Sequence, residues 1–150
     1  MAVTEAFERA LEALGSKERT RAELEEWLRR RDFTADQIAD ALHRLVSIGE
    51  LDDERFARRF AEDKRELRGW GPERIHRALV ARGVDGELIA AALEGDDRTT
   101  QLERAVALLE RRGEALSDDA RRSRALGHLT RRGYDYELAY EAIRRFAEAA

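Results

Sequence analysis

The stretch "RIHRALVARGVDGELIAAAL", residues 74–93, decides the fold. Its apolar positions Ile75, Leu79, Val84, Ile89 and Leu93 are separated by 4, 5, 5 and 4 residues. Each half carries the four-residue step of a helix face, and the joint between them falls at Arg82-Gly83-Val84-Asp85. Gly83 suits the left-handed position just past a helix end. Arg82 places a cation near the C-terminal dipole of the first helix; Asp85 and Glu87 place an N-cap and an acid at the start of the second. The pattern is helix, tight turn, helix. It occurs twice more with the same gaps, at Leu24, Leu28, Phe33, Ile38 and Leu42, and at Ala125, Leu129, Tyr134, Ala139 and Ile143. The polar positions keep step with it. Arg31, Arg82 and Arg132 share one place, Asp32, Gly83 and Gly133 the next, and Thr34, Asp85 and Asp135 the cap.

Working outward, a further helix precedes each pair. Phe7, Ala10, Leu11 and Leu14 form a stripe that ends at Gly15. Asp52 caps a helix carrying Phe56 and Phe60. Leu102, Ala105, Leu108 and Leu109 form a stripe that ends at Gly113. Thr20–Glu23 and Thr34–Gln37 read as capping boxes. The chain is therefore expected to be all-α, with three tandem three-helix, helix-turn-helix-like repeats at 1–50, 51–96 and 97–150. Units this small need their neighbours to bury a core, so an elongated or curved array is expected.

Composition agrees. The chain is 43% hydrophobic and 40% charged, too apolar for disorder and charged enough for amphipathic helices with ionic outer faces. There is no cysteine, hence no disulfide or thiolate chemistry. The N-terminus has acids where a leader needs cations, and no stretch reaches the ~20 apolar residues of a membrane span. A soluble, cytoplasmic monomer is expected. His43, His76 and His128 fall one to a repeat, without metal-ligand spacing. No phosphate loop, nucleophile elbow or carboxylate cage is present. The sequence reads as that of a binding protein, not an enzyme, with no cofactor and no metal.

The charge balance is −4 in total but runs −3, −2 and +1 through successive fifties. That argues against strong non-specific binding to a polyanion while leaving room for local patches. The third helix of each repeat starts with acids, which phosphates would repel, so readout of a DNA groove by these helices is not expected. The cations gather instead on the middle helices: Arg29, Arg30 and Arg31; Arg74, Arg77 and Arg82; Arg121, Arg122, Arg124, Arg131 and Arg132. Candidate contacts to a protein or nucleic-acid partner are Arg29, Arg30, Arg31, Arg68, Arg74, Arg77, Arg82, Arg124, Arg131 and Arg132. The shared Arg31/Arg82/Arg132 place reads as helix capping before partner contact. In "RGWGPERI", residues 68–75, the glycines and Pro72 mark a helix entrance. Trp70 is either a staple against that helix or a partner contact.

Taken together, "RTRAELEEWLRRRDF" (19–33), "LVSIGELDDERFARRFAED" (45–63) and "RGWGPERIHRALVARGVD" (68–85) resemble the RecX regulators of bacterial RecA. The joint Leu51-Asp52-Asp53-Glu54-Arg55-Phe56-Ala57 carries the resemblance most specifically, and the third repeat keeps it with less apolar bulk. Trp27 departs from it, standing where an aliphatic residue is expected. The resemblance implies a protein that binds the RecA–DNA filament and inhibits recombinase, ATPase and coprotease activity in DNA repair and the SOS response. It also implies DNA contact, chiefly within that filament. Direct DNA binding through the arginines, without RecA, is the alternative.

Overall fold

The computed structural model describes residues 2–149. Nine helices and no strand occur among the described residues: α1 (Ala2–Ser16), α2 (Arg21–Arg29), α3 (Ala35–Ser47), α4 (Asp53–Arg68), α5 (Pro72–Ala81), α6 (Gly86–Leu93), α7 (Arg98–Arg112), α8 (Asp119–Arg131) and α9 (Tyr136–Ala149). Thr20 and Thr34 form complete capping boxes with Glu23 and Gln37. Asp52 accepts the Arg55 amide at 3.0 Å and Asp135 the Leu138 amide at 2.7 Å. Asp85 starts α6 through its carbonyl, which accepts the amides of Leu88 and Ile89. All fifteen repeat positions are buried except Phe33 and Leu93, which are half-buried.

The helices pack as two compact units. One comprises the chain up to Ala57 together with Leu79–Ile89; the other comprises Arg58–Ala78 together with the chain from Ala90 onward. In the first, α1 lies on α3 and α2. Its buried seam is Ala6, Ala10 and Ala13, flanked by half-buried Phe7 and Leu14. Leu11, expected in that stripe, is 38% exposed: small side chains let α1 approach α3 closely, which turns the larger Leu11 outward.

The turn after α5 also belongs to the first unit, and it seats on the start of α2. The Thr20 hydroxyl donates to the Arg82 carbonyl at 2.6 Å. Arg82 reaches Glu23 with Nε at 3.0 Å and Nη2 at 2.9 Å, while its guanidinium lies 4.5 Å from the Phe56 ring centre. The sequence pattern puts Arg82 in the last turn of its own helix. It lies past that helix and bonds to residues about sixty positions earlier.

This pair has a consequence for acid stability. Burial works against ionisation of Glu23, but the Arg82 hydrogen bonds and charge, with the Thr20 amide, outweigh it and hold the carboxyl below the ordinary 4.5. A depressed folded-state pKa contributes stability that is complete above the unfolded value and is lost as pH falls through the folded one. Urea midpoints should therefore fall below pH 4.5. In Glu23→Gln, which keeps the capping box, that decline should be shallower; equal declines would mean the pair contributes nothing.

In the second unit α9 packs on α7 and α8 around Leu102, Ala105, Leu109, Leu129 and Leu138. The turn after α8 seats on the start of α5, as the turn after α5 does on α2. Here the Gly71 amide donates to the Arg132 carbonyl at 2.8 Å and the Glu73 amide to the Gly133 carbonyl at 3.0 Å. Gly71 and Thr20 hold the same place in their repeats, so one joint is built twice with different donors.

A candidate cationic surface around Trp70

Helix α4 stops at Gly69, whose φ is +65°. The amides of Gly69 and Trp70 close the helix onto the carbonyls of Arg65 and Lys64, both at 3.1 Å. Three successive carbonyls then each receive a side-chain donor. Arg68 O accepts from Arg132 Nη1, Gly69 O from the Tyr134 hydroxyl at 2.7 Å, and Trp70 O from Arg104 Nη1 at 3.2 Å. With the Gly71 amide also taken, the loop has no slack.

Beneath the loop lies a buried ionic centre. The Asp96 carboxylate, 2% exposed, pairs with Arg104 and stands 3.5 Å from Arg65 Nε. Arg65 Nη2 donates to Ala92 O at 2.9 Å, and Gln101 Nε2 to Asp96 O at 2.7 Å. Burial pushes the Arg104 pKa down, but Asp96 and Tyr134 outweigh it and keep the guanidinium charged. Burial pushes the Tyr134 hydroxyl up, so it remains a donor.

What the loop presents outward is cationic. Trp70 meets Phe60 edge-on at 6.2 Å, with Arg74 4.2 Å and Lys64 5.0 Å from its ring centre. The ring thus meets Phe60 of α4 on one side and Arg74 of α5 on another, and it holds two cations in place. Arg74 Nη1 also donates to the Arg131 carbonyl at 3.3 Å. Arg68 and Arg131 are exposed; Arg132 is half-buried. Arg77, also exposed, borders a shallow groove with Pro72, Glu73, His76 and Leu93. The local potential registers on His128: burial first, then the charges of Arg112, Arg132 and Arg131, depress its pKa below the usual 6.5.

Of the sequence candidates, the structure therefore gathers Arg68, Trp70, Arg74, Arg131 and Arg132, and adds Lys64. Arg77 stays exposed beside its groove; the rest are engaged elsewhere. In the first unit Arg29 pairs with Glu25 at 2.9 Å and with Glu26, and Arg30 pairs with Glu26 at 3.2 Å. Arg31 lies over the Trp27 ring at 3.6 Å, with Arg19 and Arg9 at 5.7 and 6.0 Å. Arg82 is held by Glu23. In the second unit Arg124 pairs with Glu114 at 3.4 Å. Sequence reasoning passed over Lys64 because it is a lone lysine four residues ahead of the arginine cluster. It passed over Asp96 because an acid in "EGDDR" looks like any loop acid until its burial is known. The assembled surface offers fixed cations and no nucleophile, which fits an anionic partner: phosphate or clustered carboxylates. No helix among the described residues is long and apolar enough to cross a membrane.

Two family models match: RecX, first three-helix domain, over residues 6–45, and RecX, second three-helix domain, over residues 52–93. The regulatory protein RecX of Mycobacterium avium is 36% identical over 137 residues, spanning 89% of this chain and 79% of that protein. The regulatory protein RecX of Bacillus subtilis is 29% identical over 144 residues, spanning 94% of this chain and 54% of that protein. The crystal structure of RecX from Lactobacillus salivarius superposes with a TM-score of 0.85 at 22% identity, covering 97% of this chain and 96% of that one; it shares the fold.

Proposed function

The chain belongs to the RecX family, and from that premise we propose that it regulates the RecA recombinase by binding the RecA–DNA filament and inhibiting its recombinase, ATPase and coprotease activities. The observation that carries the reading on this chain is the rigid Gly69–Gly71 loop with Lys64, Arg68, Arg74, Arg131 and Arg132 around it. A filament offers such a surface both phosphates and protein acids. Adding the protein to RecA-coated single-stranded DNA should slow ATP hydrolysis. Unchanged hydrolysis at several-fold excess over the coating RecA would overturn the proposal.

The same cations favour a second reading, direct binding to DNA without RecA. Its mark is a steep fall of affinity with salt, because each neutralised phosphate releases a counterion. Titrating labelled single- and double-stranded DNA at two salt concentrations separates the readings.

Charge reversal should be made where the side chain supports nothing else. Arg74 does support the fold: its guanidinium covers Trp70 and its Cβ faces Gly133. Arg68 and Arg131 are exposed. The pair Arg68→Glu with Arg131→Glu should raise the half-inhibitory concentration about tenfold or more, a loss of about 1.4 kcal/mol in binding. The melting temperature should stay within a few degrees. Unaltered inhibition would remove this surface from the contact.

A further inference from the structure

A groove of about 740 Å³ runs between α8 and α9. The corresponding groove between α2 and α3 is about 240 Å³. The positions that line the smaller groove as Ala35 and Ala39, and that are Gly86 and Ala90 in the second repeat, are Tyr136 and Tyr140 here. These two rings lie 5.7 Å apart, tilted by 40°, and the tyrosines remain 60% and 56% exposed. Leu126 and Ile143 form the apolar floor beside them.

The charges in this groove are the second observation. Three other arginines of the third repeat find acids: Arg121 with Asp118 at 2.7 Å, Arg124 with Glu114 at 3.4 Å, Arg145 with Glu141 at 3.6 Å. Asp119, Arg122, Arg144 and Glu148 all line the groove; Arg122 Nε donates to the Leu116 carbonyl at 3.0 Å, and no ion pair of the four occurs among the described residues. Arg144 and Glu148, a cation and an anion beside the same pair of tyrosines, make that patch complementary to itself. Self-complementarity is what a two-fold interface between identical copies requires.

Register on α9 strengthens the case. In an antiparallel pairing of two α9 helices centred on residue 142, Tyr140 of one copy faces Arg144 of the other. Tyr136 then faces Glu148. The first contact is a cation over an aromatic ring and the second a phenol donating to a carboxylate. Each occurs twice by symmetry. We propose that this chain self-associates as a two-fold dimer through the α8–α9 groove, with Tyr140 against Arg144 and Tyr136 against Glu148 across the axis. The groove lies in the same packing unit as the Trp70 surface, so a dimer presents two such surfaces, and binding to a repeating filament gains by avidity.

Sedimentation velocity on the full chain, over about 5–200 µM, tests this without RecA. The wild type should shift from monomer to dimer. Tyr140→Arg, which sets cation against cation, should weaken association at least tenfold. The swap Tyr140→Arg with Arg144→Tyr restores an aromatic–cation pair and should recover the dimer. Circular dichroism checks that both exposed substitutions leave the helices intact. A wild type that stays monomeric throughout overturns the proposal, as does a folded swap variant that fails to recover association. A monomer whose Tyr140→Arg variant loses inhibition of RecA also overturns it, and assigns the groove to the recombinase. Failure here leaves the ATP-hydrolysis test of the regulatory reading standing.

Discussion

Replacing Asp96 with alanine is expected to destabilise the protein by about 3–5 kcal/mol, the range for removing one partner of a buried ion pair. The cost comes from what is left behind. Arg104 and Arg65 are 15% and 20% exposed, and without the carboxylate two guanidinium groups remain in a space that water scarcely enters. Arg104 also holds the Trp70 carbonyl and lies by the Tyr134 hydroxyl, which in turn holds Gly69 O. The loss should therefore spread to the Gly69–Gly71 loop. Asp96→Asn keeps the shape and one acceptor but not the charge, and should fall between the two. Urea unfolding monitored by circular dichroism gives both values. A loss under about 1 kcal/mol for the alanine variant would place Asp96 among ordinary surface ion pairs.

Asp96 also marks where sequence reading stops. Helix identity, the tight turns and nearly the whole core were legible because each rests on local spacing: Leu24 to Leu28, Ile75 to Leu79, Ala125 to Leu129, and caps such as Thr34 with Gln37 within one turn. What pairs across the chain carries no local signature. Glu23 and Arg82 are each found beside other charges, and only folding shows that they meet. The same holds for Tyr134, whose ring was legible as core while its hydroxyl's bond to Gly69 O was not. Trp70 was legible as a residue at a helix entrance. Its direction, toward Phe60 and under Arg74, depended on how α4 closes at Gly69 and Trp70. In the first helix, the pattern of large residues suggested Leu11 in the seam, but close approach selected Ala6, Ala10 and Ala13.

Gly133→Ala should cost more than 3 kcal/mol, combining backbone strain of about 1–3 kcal/mol with a steric collision that strain alone does not include. The site has a φ of +104°, and an added Cβ would lie 2.5 Å from Arg74 Cβ, 2.6 Å from Arg74 N and 2.8 Å from Gly71 O. Two of those are backbone atoms, so relief requires moving the start of α5 and loosening the Gly71–Arg132 and Glu73–Gly133 hydrogen bonds. Gly113→Ala is the control: φ is +67°, but the nearest atom is 4.0 Å away, so strain alone applies, about 1 kcal/mol. The comparison explains the sequence at this place in the repeat. Asp32, Gly83 and Gly133 all have positive φ, so conformation does not distinguish them. Gly83 and Gly133 each press against a preceding helix start, where a Cβ would meet Ala22 or Arg74 at 2.5 Å. Asp32, by contrast, is exposed. Close approach, more than the turn itself, therefore demands glycine. Asp32→Gly should change stability by less than about 1 kcal/mol, whereas Gly83→Asp should be as damaging as Gly133→Ala; similar losses at positions 32 and 83 would show that conformation, not the joint, sets the residue.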